Sequence, residues 1–597
     1  MDTPPIFVPP PVLKRRAVNA QQEQIAISKG LDPVMARVIA ARPFPNDHCP
    51  KQWLAPKLAT LDHPGLLKDM ERAVARVVEA LRNHECIGIE TDHDCDGQTS
   101  HAVLYSALLQ DFNHPPHLIR SYIGHRLKEG YGLSSSVAAR ILADSPRPTL
   151  VITADNGSGD EARIAQLKAA AIDVIVTDHH GIPDAGIPQS AYAVLNPTRE
   201  DCAYPDPYIA GCMVAWLLMA ATRRALIDQQ YLPPTTRSLA HLLDYVAIGT
   251  VADCVSLARS KNNRAVIRFG LNYINQGTRP CWRALHRWVN PPPYVAEDLA
   301  FRIGPLLNSD GRLANAFGSV SFLLATNDEQ ASEWTTYLQT QNTERKAVQN
   351  RITELSLQQA SPQVLAGRSA LCIFLEAGHS GVHGISASKL KELYGRPTII
   401  FCPKPNHPGL ITGSARGIDA LHLAKALQEV AKRQPQLIEA FGGHQGAAGL
   451  TLKKIHFAAF SHCFEEVVQD LLNYQPLTPV IWSDGDLPHA HYSLAFVEQL
   501  MSTLEPFGRE FELPTFEATV KILGVKLIGA EQIHLRLTCQ LPSQTLDGIW
   551  FNFRRNRDAP MPIVANQTVK IAFSLRCNQF RGVKRLEMMI VHVWDLA

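Results

Sequence analysis

Asp92, Asp94 and Asp96 stand two residues apart at the end of a short apolar run, Cys86-Ile87-Gly88-Ile89-Glu90-Thr91, with Gly97 directly after them. Three carboxylates this close repel one another, so the arrangement is costly unless protons or a cation neutralise it. Taken alone, the segment also fits a solvated aspartate-rich turn. Three more segments weigh against that reading: Asp155-Asn156-Gly157, Asp178-His179-His180 and Asp253 each close an apolar stretch of their own. Carboxylates and imidazole without cysteine suit hard or borderline divalent ions, chiefly manganese or magnesium. With at least five carboxylates and a histidine available, two such ions can be held, and a pair about 3.5–4 Å apart stabilises both oxygens of a phosphoryl displacement. The chemistry that follows is hydrolysis of a phosphodiester or phosphoanhydride by metal-activated water.

These acids can cooperate only if the elements behind them converge. Val74, Val77, Val78 and Leu81 follow helical spacing, and the run ending at Asp92 then reads as a buried strand. A helix is expected over 100–110, a strand over 149–154, a helix near 161–170 and a strand over 172–177. Tyr245-Val246-Ala247-Ile248-Gly249-Thr250-Val251-Ala252 reads as a fourth strand, ending in Asp253. Strands alternating with helices predict an α/β fold with a doubly wound parallel sheet. In such sheets the loops beyond the carboxyl ends of the strands line one edge, where ligands bind. Four strand ends would thus deliver acids and histidines to one crevice.

At 597 residues the chain should form about three or four domains. Its 46% hydrophobic and 19% charged content fit folded protein rather than disorder. Lys plus Arg total 58 against 56 for Asp plus Glu, so a net charge of +2 gives no global basic signal, and any nucleic-acid binding must use a local positive groove. The 12 cysteines are scattered singly, which predicts a reducing compartment. The proline-rich start, with Pro4-Pro5 and Pro9-Pro10-Pro11, lacks the apolar core of a signal peptide, and no apolar run is long enough to span a bilayer. A cytoplasmic protein without membrane contact is expected.

Residues 1–75 are expected to form a mostly helical extension, 76–326 the catalytic α/β domain, and 327–366 a polar connecting helix. A smaller α/β domain is expected over 367–455, with glycine-rich turns at Gly378-His379-Ser380-Gly381, Gly413-Ser414-Ala415-Arg416-Gly417 and Gly442-Gly443-His444-Gln445-Gly446. Such turns let backbone N–H groups approach phosphates. Residues 456–597 are expected to be a helix plus a β-rich module of small-barrel type. In it Trp550, Phe551, Phe553 and Phe580 stand among Arg554, Arg555, Arg557, Arg581, Lys584 and Arg585. Base stacking over single-stranded DNA and packing inside a small barrel both account for these aromatics.

Asp92-His93-Asp94-Cys95-Asp96-Gly97, Asp155-Asn156-Gly157, Asp178-His179-His180 and Gly249-Thr250-Val251-Ala252-Asp253 resemble, in order, the four signature motifs of the DHH phosphoesterase superfamily. Asn308-Ser309-Asp310-Gly311-Arg312 resembles a fifth motif, and Gly442-Gly443-His444 the glycine loop of the DHHA1 domain. Chain length, connecting helix and terminal β module, which opens at Glu505-Pro506-Phe507-Gly508, are similar to the single-strand-specific exonucleases of that superfamily. The resemblance implies that the terminal module is oligonucleotide-binding-like (OB-like). It also implies a 5′ to 3′ exonuclease that uses two manganese or magnesium ions, degrades single-stranded DNA to mononucleotides, and serves DNA repair and recombination. It implies Asp94, Asp96, Asp155, His179 and Asp253 as metal ligands, with Asp92 and Asp178 supporting them and His180 approaching the scissile phosphate. Asp92 as a direct ligand stays open. It further implies Asn156, Asn308, Arg312, His379, Ser414, Arg416, Gly442, Gly443 and His444 as nucleic-acid contacts. The implied partners are single-stranded DNA, a single-strand-binding protein and a helicase, with the enzyme itself a monomer. The chain departs from the family pattern in four places: an aromatic residue is usual at His93, a small one at Cys95, two alanines at Ser309-Asp310, so Asp310 adds an acid near the substrate path, and a Trp-His-Pro-like sequence at Gly378-His379-Ser380. Two alternatives remain: a DHH phosphodiesterase for short oligonucleotides or cyclic dinucleotides, which would not need the β module, and an inactive single-strand-binding subunit, which would not need the acids.

Overall fold

The computed structural model describes residues 6–45, 50–126, 128–289, 291–313, 316–405, 407–542, 544–554, 561–580 and 582–596. Pro4 and Pro5 of the proline-rich start, and Arg555, Arg557 and Arg581 of the terminal module, lie outside these residues. The chain divides into two compact units: one holds Leu58–Val255 and Ala265–Pro479 with the segment ending at Pro10, the other Pro11–Lys57, Ser256–Arg264 and Val480–Ala597.

In the first unit, five strands form one parallel sheet: β1 (Ile87–Thr91), β2 (Ile119–Ile123), β3 (Leu150–Ala154), β4 (Asp173–Thr177) and β5 (Ala193–Leu195). Their order is β2-β1-β3-β4-β5. All five residues of β1 and of β3 are buried, as expected for strands covered by helices on both faces. The strand order reverses between β1 and β3, and there the connections leave towards opposite faces and open a crevice at the carboxyl ends. Asp92 and Asp155 follow those two strands.

The fourth apolar stretch departs from the expected strand. Leu243–Ala252 is an α-helix, with every residue from Leu243 to Val251 buried. A continuous apolar run carries no period that separates a buried strand from a buried helix, and this one is buried on all sides. Three strands and one helix therefore deliver the acids. Gly249 makes the helix's approach possible: a Cβ there would overlap Thr99 Oγ1 and lie 2.8 Å from Asp96 Oδ1. Only glycine lets the two helices close to that distance, and the contact sets Asp253, at the helix's carboxyl end, beside Asp96.

A 38-residue helix, Asp328–Leu365, leads to a second sheet. Its strands are β6 (Leu371–Phe374), β7 (Thr398–Pro403), β8 (Leu410–Arg416), β9 (Ala440–Gly443) and β10 (Ala447–Lys453), in the order β9-β10-β8-β7-β6. The segment read as a turn at Gly413-Ser414-Ala415-Arg416 is thus strand. Ile411, Gly413 and Ala415 are buried while their neighbours are half-buried, and β7 and β10 pair with both edges. Ladder bonds on both sides outweigh the weak strand preference of glycine and serine.

In the second unit, β11 (Phe516–Ile528), β12 (His534–Gln540), β13 (Thr545–Trp550), β14 (Thr568–Phe580) and β15 (Val583–Asp595) close into a barrel. The two readings of its aromatics divide residue by residue: Trp550 is buried against His592 and Phe553, whereas Phe551 is 45% exposed. The early residues are not helical throughout, for Val12–Arg15 pairs in parallel with Val480–Ser483 in this same unit. Among the described residues no helix is long and apolar enough to cross a membrane.

Candidate metal centre

Each acid is placed by the element that ends or begins beside it. Asp94 caps the helix Cys95–Ser106, its Oδ1 accepting from Asp96 N at 3.0 Å and Gly97 N at 3.2 Å. Asp96 lies in the first turn of that helix and is held by the start of another, Gly211–Asp228: Gly211 N donates to Oδ2 at 2.7 Å and Cys212 N to Oδ1 at 2.9 Å. A helix amino terminus favours an anion, so this carboxylate is aimed before any ligand arrives. Asp155 follows β3 with a left-handed φ of 62°, a conformation that aspartate tolerates better than most residues.

The three motifs converge on His179. Its Nε2 lies 3.1 Å from Asp155 Oδ1, 3.4 Å from Asp253 Oδ2 and 3.8 Å from Asp96 Oδ2. Three sets of side chains bring ligand atoms within 4.8 Å of one another: Asp155 with His179 and His180, Asp96 with His179 and Asp253, and Asp92 with Asp94 and Asp155. Asp155 and His179 are each shared between two sets, so the three sets form one continuous cluster of candidate ligands.

Burial and mutual repulsion dominate the electrostatics. Burial, then the charges of Asp96 and Asp94, hold the Asp155 and Asp253 carboxyls far above the usual carboxylate range. Asp94 is raised by burial and by Asp92 and Asp96. Burial alone would raise Asp92 too, but the neighbouring His93 imidazole, Nδ1 at 2.9 Å, carries it below its ordinary value. Burial pulls the His180 imidazole down, yet its 2.8 Å bond to Asp178 Oδ1 pushes it up to about 9. Asp178 is also fixed by the Ser158, His179 and His180 N–H groups. Such an excess of buried negative charge is what a divalent cation relieves.

Gly97 is where this packing tolerates least change. A Cβ there would overlap the Asp92 carbonyl oxygen and stand 2.6 Å from its carbon. Gly97→Ala is expected to destabilise the protein by at least about 3 kcal/mol, since overpacking against backbone cannot relax as a side chain does. Thermal unfolding of the purified variant measures it.

On the other side of the acids the charge reverses. Arg312 is half-buried, donates to the Gly381 carbonyl at 3.0 Å, and is pushed down to about 9 by desolvation and by the charges of Arg126, Arg345 and Arg416. Arg416 is lowered by burial and by Arg126, and bonds Ser414 Oγ at 3.3 Å. Arg126 reaches His93 Nε2 at 3.2 Å, so His93 bridges this group and Asp92. Cations crowded together in this way call for an anion.

The remaining expected contacts fall elsewhere. Asn308, half-buried, accepts from Cys95 N at 2.9 Å, and Asn156 is 1% exposed with its amide on the Ala154 carbonyl, so both brace the centre. His379 caps the helix Ser380–Tyr394. Gly442 and Gly443 end β9, and His444 follows them into an exposed hairpin. The Cys95 thiol is buried. Asp310, the extra acid of the fifth motif, is fully buried, accepting from Tyr337 O–H at 2.8 Å and Ser319 N at 3.1 Å. It ties the helix Gly304–Leu313 to the connecting helix and does not reach the substrate path.

Sequence reasoning missed Arg126, Arg345 and Tyr131. Tyr131 donates to the Asp155 carbonyl at 3.1 Å and stands edge-on to His180. A signal existed for two of these: His125-Arg126-Leu127-Lys128 and Tyr131 follow β2, whose carboxyl end shares the acidic edge of the sheet. Arg345, midway along a polar helix, gave none.

Fold and site define a DHH phosphoesterase carrying a DHHA1 domain. The DHH family N-terminal domain matches residues 86–250, the DHHA1 domain residues 367–472, and the RecJ OB domain residues 483–592. The chain is 32% identical to the single-stranded-DNA-specific exonuclease RecJ of Haemophilus influenzae, over 97% of this chain and 99% of that one. It is 33% identical to the protein of the same name from Escherichia coli, over 98% and 99%. The crystal structure of RecJ with Mn2+ from Thermus thermophilus shares the fold, with a TM-score of 0.77 at 24% identity over 98% of this chain and 79% of that one. The chain belongs to the RecJ family.

Proposed function

We propose that this chain is a metal-dependent exonuclease that degrades single-stranded DNA from its 5′ end to mononucleotides, in DNA repair and recombination. One juxtaposition carries the reading: metal-ligand sets that share Asp155 and His179 stand against a group of arginines short of anions. An acidic centre suits divalent ions, and a basic margin suits the phosphates that flank a scissile bond. Membership of the RecJ family supports the substrate.

Asp94, Asp96, Asp155, His179 and Asp253 would hold two ions, Mn2+ or Mg2+, with Asp92 completing the set on the Asp94 side. The donors are oxygen and imidazole, as those ions prefer. When bound, the ions supply an activated water and charge stabilisation for the displacement. The chain's own groups do the rest. The bond to Asp178 orients His180 and favours its protonated form, a hydrogen-bond donor towards the scissile phosphate. Arg126, Arg312 and Arg416, with Ser414, take the neighbouring phosphates, the terminal one among them. Asn308 and Asn156 hold the Asp94 and Asp155 loops in place. His379, Gly442, Gly443 and His444 form the margin along which the strand leaves.

A nuclease confined to unpaired strands needs duplex opened and strands kept extended. The reading therefore includes a helicase and a single-strand-binding protein as partners of a cytoplasmic monomer. Digestion of an end-labelled single strand, blocked at one end or the other, tests the activity: hydrolysis should stop with the 5′ end blocked and continue with the 3′ end blocked. The reverse result, or cleavage without divalent ions, would sink it. Chelation is expected to abolish hydrolysis, and Mn2+ at about 100 times its dissociation constant should stabilise the fold by about 2.7 kcal/mol, read as a rise in unfolding temperature.

A further inference from the structure

Arg126, whose guanidinium bonds His93 beside the acids, also lines a cavity of about 500 Å³ whose walls include none of the metal-centre acids. That volume lies within the range of small-molecule sites. Lys128 and Lys404 stand on its walls, and neither is paired with a carboxylate among the described residues. Glu129 is the one acid there among the described residues, and it is engaged by His125 N at 2.7 Å and by Arg140 at 3.2 Å. Ser380, also on the wall, opens a 15-residue helix whose dipole adds positive potential. His383, one turn further along, lines the cavity too. It is 1% exposed, and its Nε2 has no partner within the protein. A concave site with three cations and a single, already engaged acid is built to receive several negative charges at once.

We propose that this cavity binds a linear polyphosphate: the phosphates beyond the first on a strand that ends in a 5′-triphosphate, or those of a free nucleoside triphosphate. The inference rests on the reading above, in which Arg126, with Arg312, Arg416 and Ser414, takes the phosphates at the end of the strand. Because Arg126 faces both spaces, a phosphate held there places the next ones towards Lys128 and Lys404. The enzyme would then grip triphosphate-ended strands in addition to monophosphate-ended ones.

The test uses the full chain with excess Mn2+ and three single strands of one sequence, ending in a 5′-hydroxyl, a 5′-monophosphate or a 5′-triphosphate. The wild type is expected to show a KM at least about fivefold lower for the triphosphate end than for the monophosphate end, a gain typical of added charge-assisted contacts. In the double variant Lys128→Ala, Lys404→Ala that preference should collapse, with kcat/KM on the monophosphate end within about twofold of wild type. Inorganic tripolyphosphate, titrated against the 5′-hydroxyl strand, distinguishes the sources: inhibition that the double variant loses, without any preference for triphosphate ends, assigns the cavity to a free nucleotide. No preference together with no inhibition overturns the proposal, and so does a preference that survives in the double variant. A wild type that hydrolyses none of the three strands would instead overturn the exonuclease reading.

Discussion

Asp155→Asn is expected to lower the turnover of single-stranded DNA by at least about a thousandfold, corresponding to a loss of about 4 kcal/mol of transition-state stabilisation. Binding of the strand, measured by fluorescence anisotropy, should stay within about threefold of wild type, because the phosphate contacts lie on the arginine side. Asparagine is the right probe here. It keeps the shape of the side chain and tolerates the left-handed φ of 62°, whereas alanine would add backbone strain to the lost charge. Asp155 is also the acid whose loss should reach furthest, since it belongs to two of the three ligand sets. The same substitution should raise the unfolding temperature of the chelated protein. Burial and the charges of Asp96 and Asp94 disfavour the Asp155 carboxylate, so removing it relieves repulsion that a proton or a cation must otherwise balance. Higher stability without metal, together with lost activity, is the signature of a metal ligand and the opposite of a structural role. Turnover within tenfold of wild type would remove Asp155 from the centre.

The contrast between Asp155 and Asp253 shows what kind of information the sequence carried. Asp92, Asp155 and Asp178 follow short β-rich runs separated by helical spacing, so the parallel sheet and its common edge could be read directly. Asp253 follows a run just as apolar, yet that run is helical, and its place beside Asp96 depends on Gly249 meeting Thr99 across about 150 residues of chain. The acid was legible while the element was not, because burial leaves the same sequence pattern in either geometry. Asp310 is the reverse case. Its type and its place in a motif suggested the substrate path, but hydrogen bonds from Tyr337 and Ser319, which no local pattern predicts, make it a brace. Arg126 and Arg345 gain their meaning only in three dimensions, from like charges gathered around Arg312.

That gathering leads to the second large effect. Arg312→Gln is expected to raise KM for single-stranded DNA by about ten- to a hundredfold while lowering kcat less, because the lost contact serves the bound strand rather than the displacement itself. The side chain is half-buried, its charge faces three other arginines, and it bonds the Gly381 carbonyl. A guanidinium held against that much repulsion is stabilised by a ligand anion, and its own stability falls when none is present. Glutamine can still donate to Gly381 but carries no charge, so it separates the two roles. If Arg312 neutralises one phosphate, the slope of log affinity against log salt should become shallower by about 0.7 in the variant. Arg312→Lys should restore the slope without fully restoring KM, because a lysine supplies the charge but not the two-pronged geometry. A variant with unchanged slope and raised KM would show that Arg312 acts only by holding Gly381 and the start of the helix Ser380–Tyr394, and the phosphate contact would pass to Arg126 and Arg416.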